Sequence, residues 1–150
     1  MPLNVEIKAV VRDLARLHKC ASKLSNNSGE VLHQEDIFFN SPQGRLKLRV
    51  IKVHGKIGEL SGDMSRLLSR CLGVKGTVKK TRTLYMVDQT RIHVDSVVGL
   101  GDFMELEVLL RDDQTVEDGE KIASDLQQKL GVEKEDLLSE AYMDMILKKQ

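Results

Sequence analysis

The chain has 150 residues, 31% of them charged, with 23 Lys and Arg against 23 Asp and Glu, so the formal net charge is zero. That length suits one domain spanning residues 1–150 with room for a stable core, and the charge balance removes bulk electrostatics as an argument for nucleic acid or an anionic membrane. With no Trp and 3% aromatic residues there is no stacking platform for single-stranded nucleic acid, and no apolar run approaches the length of a membrane span.

Residues 4–11 read as a strand in which Glu6 and Lys8 alternate with Val5 and Ile7. Asp13 to Leu24 follows as a helix with Leu14, Leu17, Ala21 and Leu24 on one stripe, ended by Asn26-Asn27-Ser28-Gly29. Strands over 31–39 and 45–53 make a hairpin around Asn40-Ser41-Pro42-Gln43-Gly44. Ser61 or Asp63 caps a helix carrying Met64, Leu67, Leu68 and Cys71, which Gly73 stops. Strands over 76–87 and 90–98 meet at a tight Asp88-Gln89 turn, and Gly99-Leu100-Gly101 leads into a strand over 103–110. Thr115, with Asp118 at the reciprocal capping position, starts a helix bearing Ile122, Leu126 and Leu130 that Gly131 closes. A last helix over 134–147 carries Leu137, Leu138, Ala141, Tyr142, Met145 and Ile146. The count is about six strands, without repeats or linkers.

Charges fall at every second residue in Glu6-Ile7-Lys8, Arg45-Leu46-Lys47-Leu48-Arg49, Lys80-Thr81-Arg82, Arg91-Ile92-His93-Val94-Asp95 and Glu105-Leu106-Glu107. A strand sends alternate side chains to opposite faces, so the charges share one face, while Val5, Ile7, Leu46, Leu48, Val50, Ile92, Val94, Met104, Leu106 and Val108 share the other. Repeated strand after strand, the pattern predicts an α+β fold: an antiparallel sheet curled into a barrel, charges lining a common cavity and amphipathic helices packed outside. The lining is basic, with Lys8, Arg45, Lys47, Arg49, Lys80, Arg82 and Arg91 against Glu6, Asp95, Glu105 and Glu107. Arg forks and Lys ammonium groups match polyphosphate oxygens, and carboxylates suit Mg²⁺ or Mn²⁺. Cross-strand salt bridging on a solvated face is the competing account. Against it, 45–49 carries only positive charge and 105–107 only negative.

Cys20 and Cys71 have no CxxC partner and read as small buried apolar residues in a reducing compartment. His93 shares a face with Asp95 and reads as its partner, while His18, His33 and His54 read as surface residues. Gly99-Leu100-Gly101 lacks the third glycine and the helix of a dinucleotide loop. The N-terminus enters a charged strand directly, so the expectation is no signal peptide and a cytoplasmic protein.

At these residues the chain resembles the CYTH domain, or triphosphate tunnel metalloenzyme, family, and within it the class IV adenylyl cyclase-like branch. Asn4-Val5-Glu6-Ile7-Lys8 is similar to the family's N-terminal Glu-x-Glu-x-Lys signature, with Asn4 in place of the first Glu. Gly44-Arg45-Leu46-Lys47-Leu48-Arg49, Lys80-Thr81-Arg82-Thr83-Leu84-Tyr85, and the run from Thr90-Arg91 through Glu105-Leu106-Glu107-Val108 resemble its later strands. The resemblance implies an eight-stranded antiparallel barrel enclosing a triphosphate tunnel. It implies divalent-metal-dependent hydrolysis of tripolyphosphate, a nucleoside triphosphate or thiamine triphosphate, with adenylyl cyclase activity or non-catalytic phosphate binding as alternatives. Glu6, Asp95, Glu105 and Glu107 would hold Mg²⁺ or Mn²⁺, and Lys8, Arg45, Lys47, Arg49, Lys80, Arg82 and Arg91 would hold phosphate. Lys8, helping to activate water, would join Glu105 and Glu107 as the catalytic set. The segment after Arg49 is shorter than in relatives, which implies a shortened or opened barrel whose free edge invites pairing into a homodimer.

Overall fold

Each alternating stretch becomes a strand. A computed structural model describes residues 3–52 and 60–149. Its elements are β1 (Asn4–Val10), α1 (Leu14–Ser25), β2 (Glu30–Phe39), β3 (Leu46–Lys52), α2 (Leu60–Leu72), β4 (Val74–Val87), β5 (Thr90–Val97), β6 (Gly101–Leu109), α3 (Val116–Lys129), a 3-10 turn (Lys134–Asp136), β7 (Leu137–Leu138) and α4 (Tyr142–Lys148). The seven strands form one antiparallel sheet in the order β3-β2-β4-β5-β6-β1-β7, and among the described residues this sheet is not closed. The α+β class holds, in its open form. No helix among the described residues is long and apolar enough to cross a membrane. The chain divides into two compact units, one of Met1–Glu30, Thr83–Ser96 and Asp102–Ser139, the other of Val31–Arg82, Val97–Gly101 and Glu140–Gln150.

In the first unit the apolar side of the alternation meets two amphipathic helices. Ala9, Ile92, Val94, Met104 and Leu106 pack with Leu17 and Ala21 of α1 and with Leu126 and Leu130 at the end of α3, around Tyr85. Local chemistry sets the helix ends. Asp13 accepts the Arg16 backbone N–H at 3.1 Å, and Asn26 closes α1 in the left-handed conformation that a short polar side chain tolerates. Thr115 and Asp118 form the expected capping box, the Asp118 carboxylate accepting the Thr115 N–H at 2.9 Å. Gly119 lets α3 approach the sheet, since a Cβ there would stand 2.7 Å from Val5 Cγ2.

The second unit is built on the β2–β3 hairpin, paired so that Asp36 faces Arg49 and Phe39 faces Leu46. Its loop turns through Gly44, at φ +67°. Asn40 ties this end to the α2 terminus, its N–H donating to the Gly73 carbonyl at 3.0 Å and its side chain to the Leu72 carbonyl at 3.2 Å. Ile37, Phe39, Val78, Tyr142 and Met143 are buried. The Met143 side chain occupies the space beside Gly76 where a Cβ would project, so α4 lies close on β4.

Three expectations change, and a fourth falls on residues that are not described. The single helix over 134–147 is instead a 3-10 turn, the short β7 and then α4, because Leu137 and Leu138 pair with Ala9 and Lys8 on the edge of β1. Backbone bonds to that edge outweigh the helix propensity of the segment. Cys71 is exposed and Cys20 half-buried, so neither is the fully buried residue that cysteine usage suggested. His18 is half-buried and shares a 2.8 Å hydrogen bond with Tyr85 Oη. Val53, His54 and the rest of the short interval before α2 lie outside the described residues.

Gly29 supplies a test of the first unit. It sits at φ +82°, and a Cβ would fall 2.7 Å from Thr83 Cγ2 and 2.8 Å from Tyr85 Cε1. Gly29→Ala combines left-handed strain with overpacking and is expected to cost about 2–4 kcal/mol. Chemical denaturation of wild type and variant measures this, and an unchanged midpoint would contradict the packing described.

Candidate functional site

Two clusters of charge lie on the strands, one in each unit, and that of the second unit shares its face of β4 with the buried Val78. In the first unit β1 and β6 are antiparallel neighbours with Glu6 opposite Glu107 and Lys8 opposite Glu105. Lys8 Nζ stands 3.5 Å from Glu105 Oε1, His93 Nδ1 3.7 Å from Glu105 Oε2, and Arg91 Nη1 3.9 Å from Glu107 Oε2. Asn4 Nδ2 donates to the other Glu107 oxygen at 3.0 Å. The acid placed beside His93 is thus Glu105, where Asp95 was expected. His93 Nδ1 is buried without a hydrogen-bond partner, since 3.7 Å is ion-pair range and too long for a hydrogen bond. Asp95 is fully buried and Glu6 exposed.

The opposition of Glu6 and Glu107 is the informative feature of this cluster. Like charges directly across a strand pair are destabilising. Arg91 and Asn4 offset part of that repulsion at Glu107, and a hard cation shared by the carboxylates would offset more. The donors present, carboxylate oxygens with the amide of Asn4, are of the type that Mg²⁺ and Mn²⁺ select. Among the described residues, however, no three His, Cys, Asp or Glu side chains already stand at metal-holding distance.

In the second unit the centre is Asp36, which is 3% exposed. One oxygen accepts Arg49 Nε–H at 2.7 Å, and the other accepts Arg49 Nη2–H at 2.8 Å and Lys80 Nζ–H at 3.1 Å. This is a fork on a carboxylate with an ammonium added, the strongest hydrogen-bond type available to side chains. Burial pushes the Asp36 carboxyl up, but the Arg49 hydrogen bonds and the charges of Lys80 and Arg49 overcome it, leaving the group below the ordinary carboxylate value. Lys80, 5% exposed, is also held below the ordinary value of its group: burial lowers its pKa, Asp36 opposes that, and the charges of Arg82 and Arg49 add to the lowering. The Tyr142 ring lies 5.3 Å from Lys80 Nζ, within cation–π range. Arg82, two residues along the same strand face, is 6% exposed.

The anticipated phosphate ligands therefore divide. Arg49 and Lys80 are joined through Asp36. Arg45 makes a two-oxygen ion pair with Asp144 of α4 at 2.7 and 2.8 Å. Lys47 lies over the Phe38 ring at 6.0 Å. Lys8 and Arg91 belong to the carboxylate cluster of the first unit. Asp36 escaped the sequence reading, although Gln34-x-Asp36-x-Phe38 places it on the alternate face from Ile37 and Phe39. With Glu30 and Glu35 in the same strand, nothing but this alternation set Asp36 apart. Asp144 and Tyr142 had none beyond helix pattern.

Solved structures share this fold. The PH1819 protein of Pyrococcus horikoshii OT3 superposes with a TM-score of 0.79 at 19% identity, covering 99% of this chain and 100% of its own. A candidate adenylate cyclase of Vibrio parahaemolyticus gives 0.69 at 20% identity, covering 96% and 97%. HpAC1 of Hippeastrum, a candidate adenylyl cyclase stated to reveal a dominant triphosphatase activity, gives 0.61 at 11% identity, covering 100% and 97%. No curated protein matches the chain at the level of significance used. The CYTH domain model matches residues 2–142, nearly the whole length, and the chain belongs to the CYTH domain family.

Proposed function

We propose that the protein hydrolyses a triphosphate compound (inorganic tripolyphosphate, a nucleoside triphosphate or thiamine triphosphate) with Mg²⁺ or Mn²⁺. The observation that carries this reading is the burial of Lys80 and Arg82, at 5% and 6% exposure, on one face of β4, with Arg49 gathered beside Lys80 by Asp36. Buried cations are costly, and apolar residues of the same size would serve stability better. A polyanion as the ligand accounts for that cost. The dominant triphosphatase activity stated for HpAC1 supports hydrolysis ahead of cyclisation as the first assay. The reading places the protein in the cytoplasm, acting on a small soluble substrate rather than on nucleic acid.

In this reading Arg49, Lys80 and Arg82, with Lys8, Arg91, Lys47 and Arg45, hold phosphate oxygens and orient the chain for in-line attack. Glu6, Glu105, Glu107 and Asp95 would hold the divalent ion, whose charge, when bound, neutralises what develops on the phosphoryl oxygens. Lys8, held 3.5 Å from Glu105, would orient an attacking water through its N–H donors. Glu105, beside both Lys8 and His93, would keep those two side chains in place.

Binding comes first. At a hundredfold excess over Kd, tripolyphosphate should stabilise the native state by about 2.7 kcal/mol, a rise in Tm of roughly 5–10 °C. The shift should shrink with added salt and be largely lost in Arg49→Ala and in Arg91→Ala. No shift at millimolar ligand, with or without metal, would remove the triphosphate reading.

Turnover comes second. Phosphate release from tripolyphosphate, ATP and thiamine triphosphate under Mg²⁺ or Mn²⁺ should fall at least about 100-fold in Glu107→Gln, a change of charge with little change of shape. Metal-free tripolyphosphate binding should persist or tighten, because a carboxylate repelling the anion is gone. A wild type that binds tripolyphosphate yet hydrolyses none of the three compounds would leave a binding module instead of a hydrolase.

A further inference from the structure

Asp36 is the acid that joins Arg49 to the buried Lys80, and two roles suit an acid there. It could stand in for the substrate, occupying the cations until a phosphate displaces it. Or it could hold them in place while the phosphate binds elsewhere on the same groups. The geometry favours the second. Asp36 is 3% exposed, so displacement would strand a carboxylate in the interior. Both its oxygens are engaged, at 2.7, 2.8 and 3.1 Å, and its contact with Arg49 runs through Nε and Nη2, one edge of the guanidinium plane. The two residues are direct partners across the β2–β3 ladder, so backbone pairing fixes the approach as well. Lys80 is gripped twice, by the carboxylate and by the Tyr142 ring.

We infer that Asp36 is a positioning residue for triphosphate binding: its carboxylate fixes the Arg49 fork and the Lys80 ammonium in one rigid pair and remains bound to both when phosphate is present. This rests on the phosphate-binding reading of those cations. Asp36 also opposes the loss of charge that burial favours at Lys80. Burial and the neighbouring Arg82 and Arg49 push its proton off, Asp36 holds it on, and the Tyr142 ring contributes no opposing charge.

The test is metal-free tripolyphosphate affinity measured by calorimetry from pH 7 to pH 10 in wild type, Asp36→Asn and Asp36→Glu. Asp36→Asn should bind at least about tenfold more weakly, the scale of losing charge-assisted hydrogen bonds. Its affinity should fall at lower pH than in the wild type, because Lys80 without the carboxylate loses its proton earlier. Asp36→Glu keeps the charge but moves it by one methylene, and should also weaken binding if position is what matters. Variants that fold and bind as tightly as the wild type, or tighter, would overturn the proposal and make Asp36 a displaceable stand-in. Should the variants not fold, ¹⁵N-labelled wild type decides. The Arg49 Nε–H signal should stay protected from solvent exchange after saturation with tripolyphosphate, and its loss on binding would overturn the proposal. A wild type that binds no tripolyphosphate would instead refute the functional reading, an outcome distinct from either.

Discussion

Burying a lysine to 5% exposure disfavours its charged form, and in the second unit Asp36 and the Tyr142 ring are the groups that oppose this. Lys80 sits on a strand whose other neighbours on the same face include Arg82, so the strand itself works against its protonation. The offset comes from β2 through Asp36 and from α4 through Tyr142. Neither partner is near Lys80 in sequence, and removing either leaves an ammonium in a low-dielectric setting with cations beside it.

The first unit handles charge differently. Its ion pairs are 3.5–3.9 Å long and partly exposed, with Arg91 at 46% side-chain exposure, so solvent screens them and each contributes little to stability. The Asp36 assembly, at 2.7–3.1 Å and with Asp36 and Lys80 buried, is tighter than these pairs. Solvated cross-strand pairing alone would give mixed signs between neighbours. Lys8 opposite Glu105 fits that account, but Glu6 opposite Glu107 does not.

The C-terminal segment links packing to the cations. Because Leu137 and Leu138 join the edge of β1, the chain enters α4 only at Tyr142. The short α4 then places the Tyr142 ring over Lys80 and Asp144 on Arg45. Continuous helix through 134–147 would have set these side chains on a different rotation, since helical position advances by 100° per residue while a strand alternates.

What could be read from the chain itself was local or periodic. Strand alternation from Glu6-Ile7-Lys8 to Glu105-Leu106-Glu107 marks its faces because the pleat has period two, and α1 and α3 show their apolar stripes and caps because these depend on residues three or four apart. The hairpin through Gly44 followed from turn chemistry. Tertiary structure alone decided the rest. Asp36 gained its partners from Arg49 across a strand pair and from Lys80, 44 residues away, and beside Glu35 in the same strand it has no period that reveals them. The break at Leu137 came from an edge of β1 about 130 residues earlier in the chain, whose unpaired backbone groups outweighed a helical preference that sequence could see.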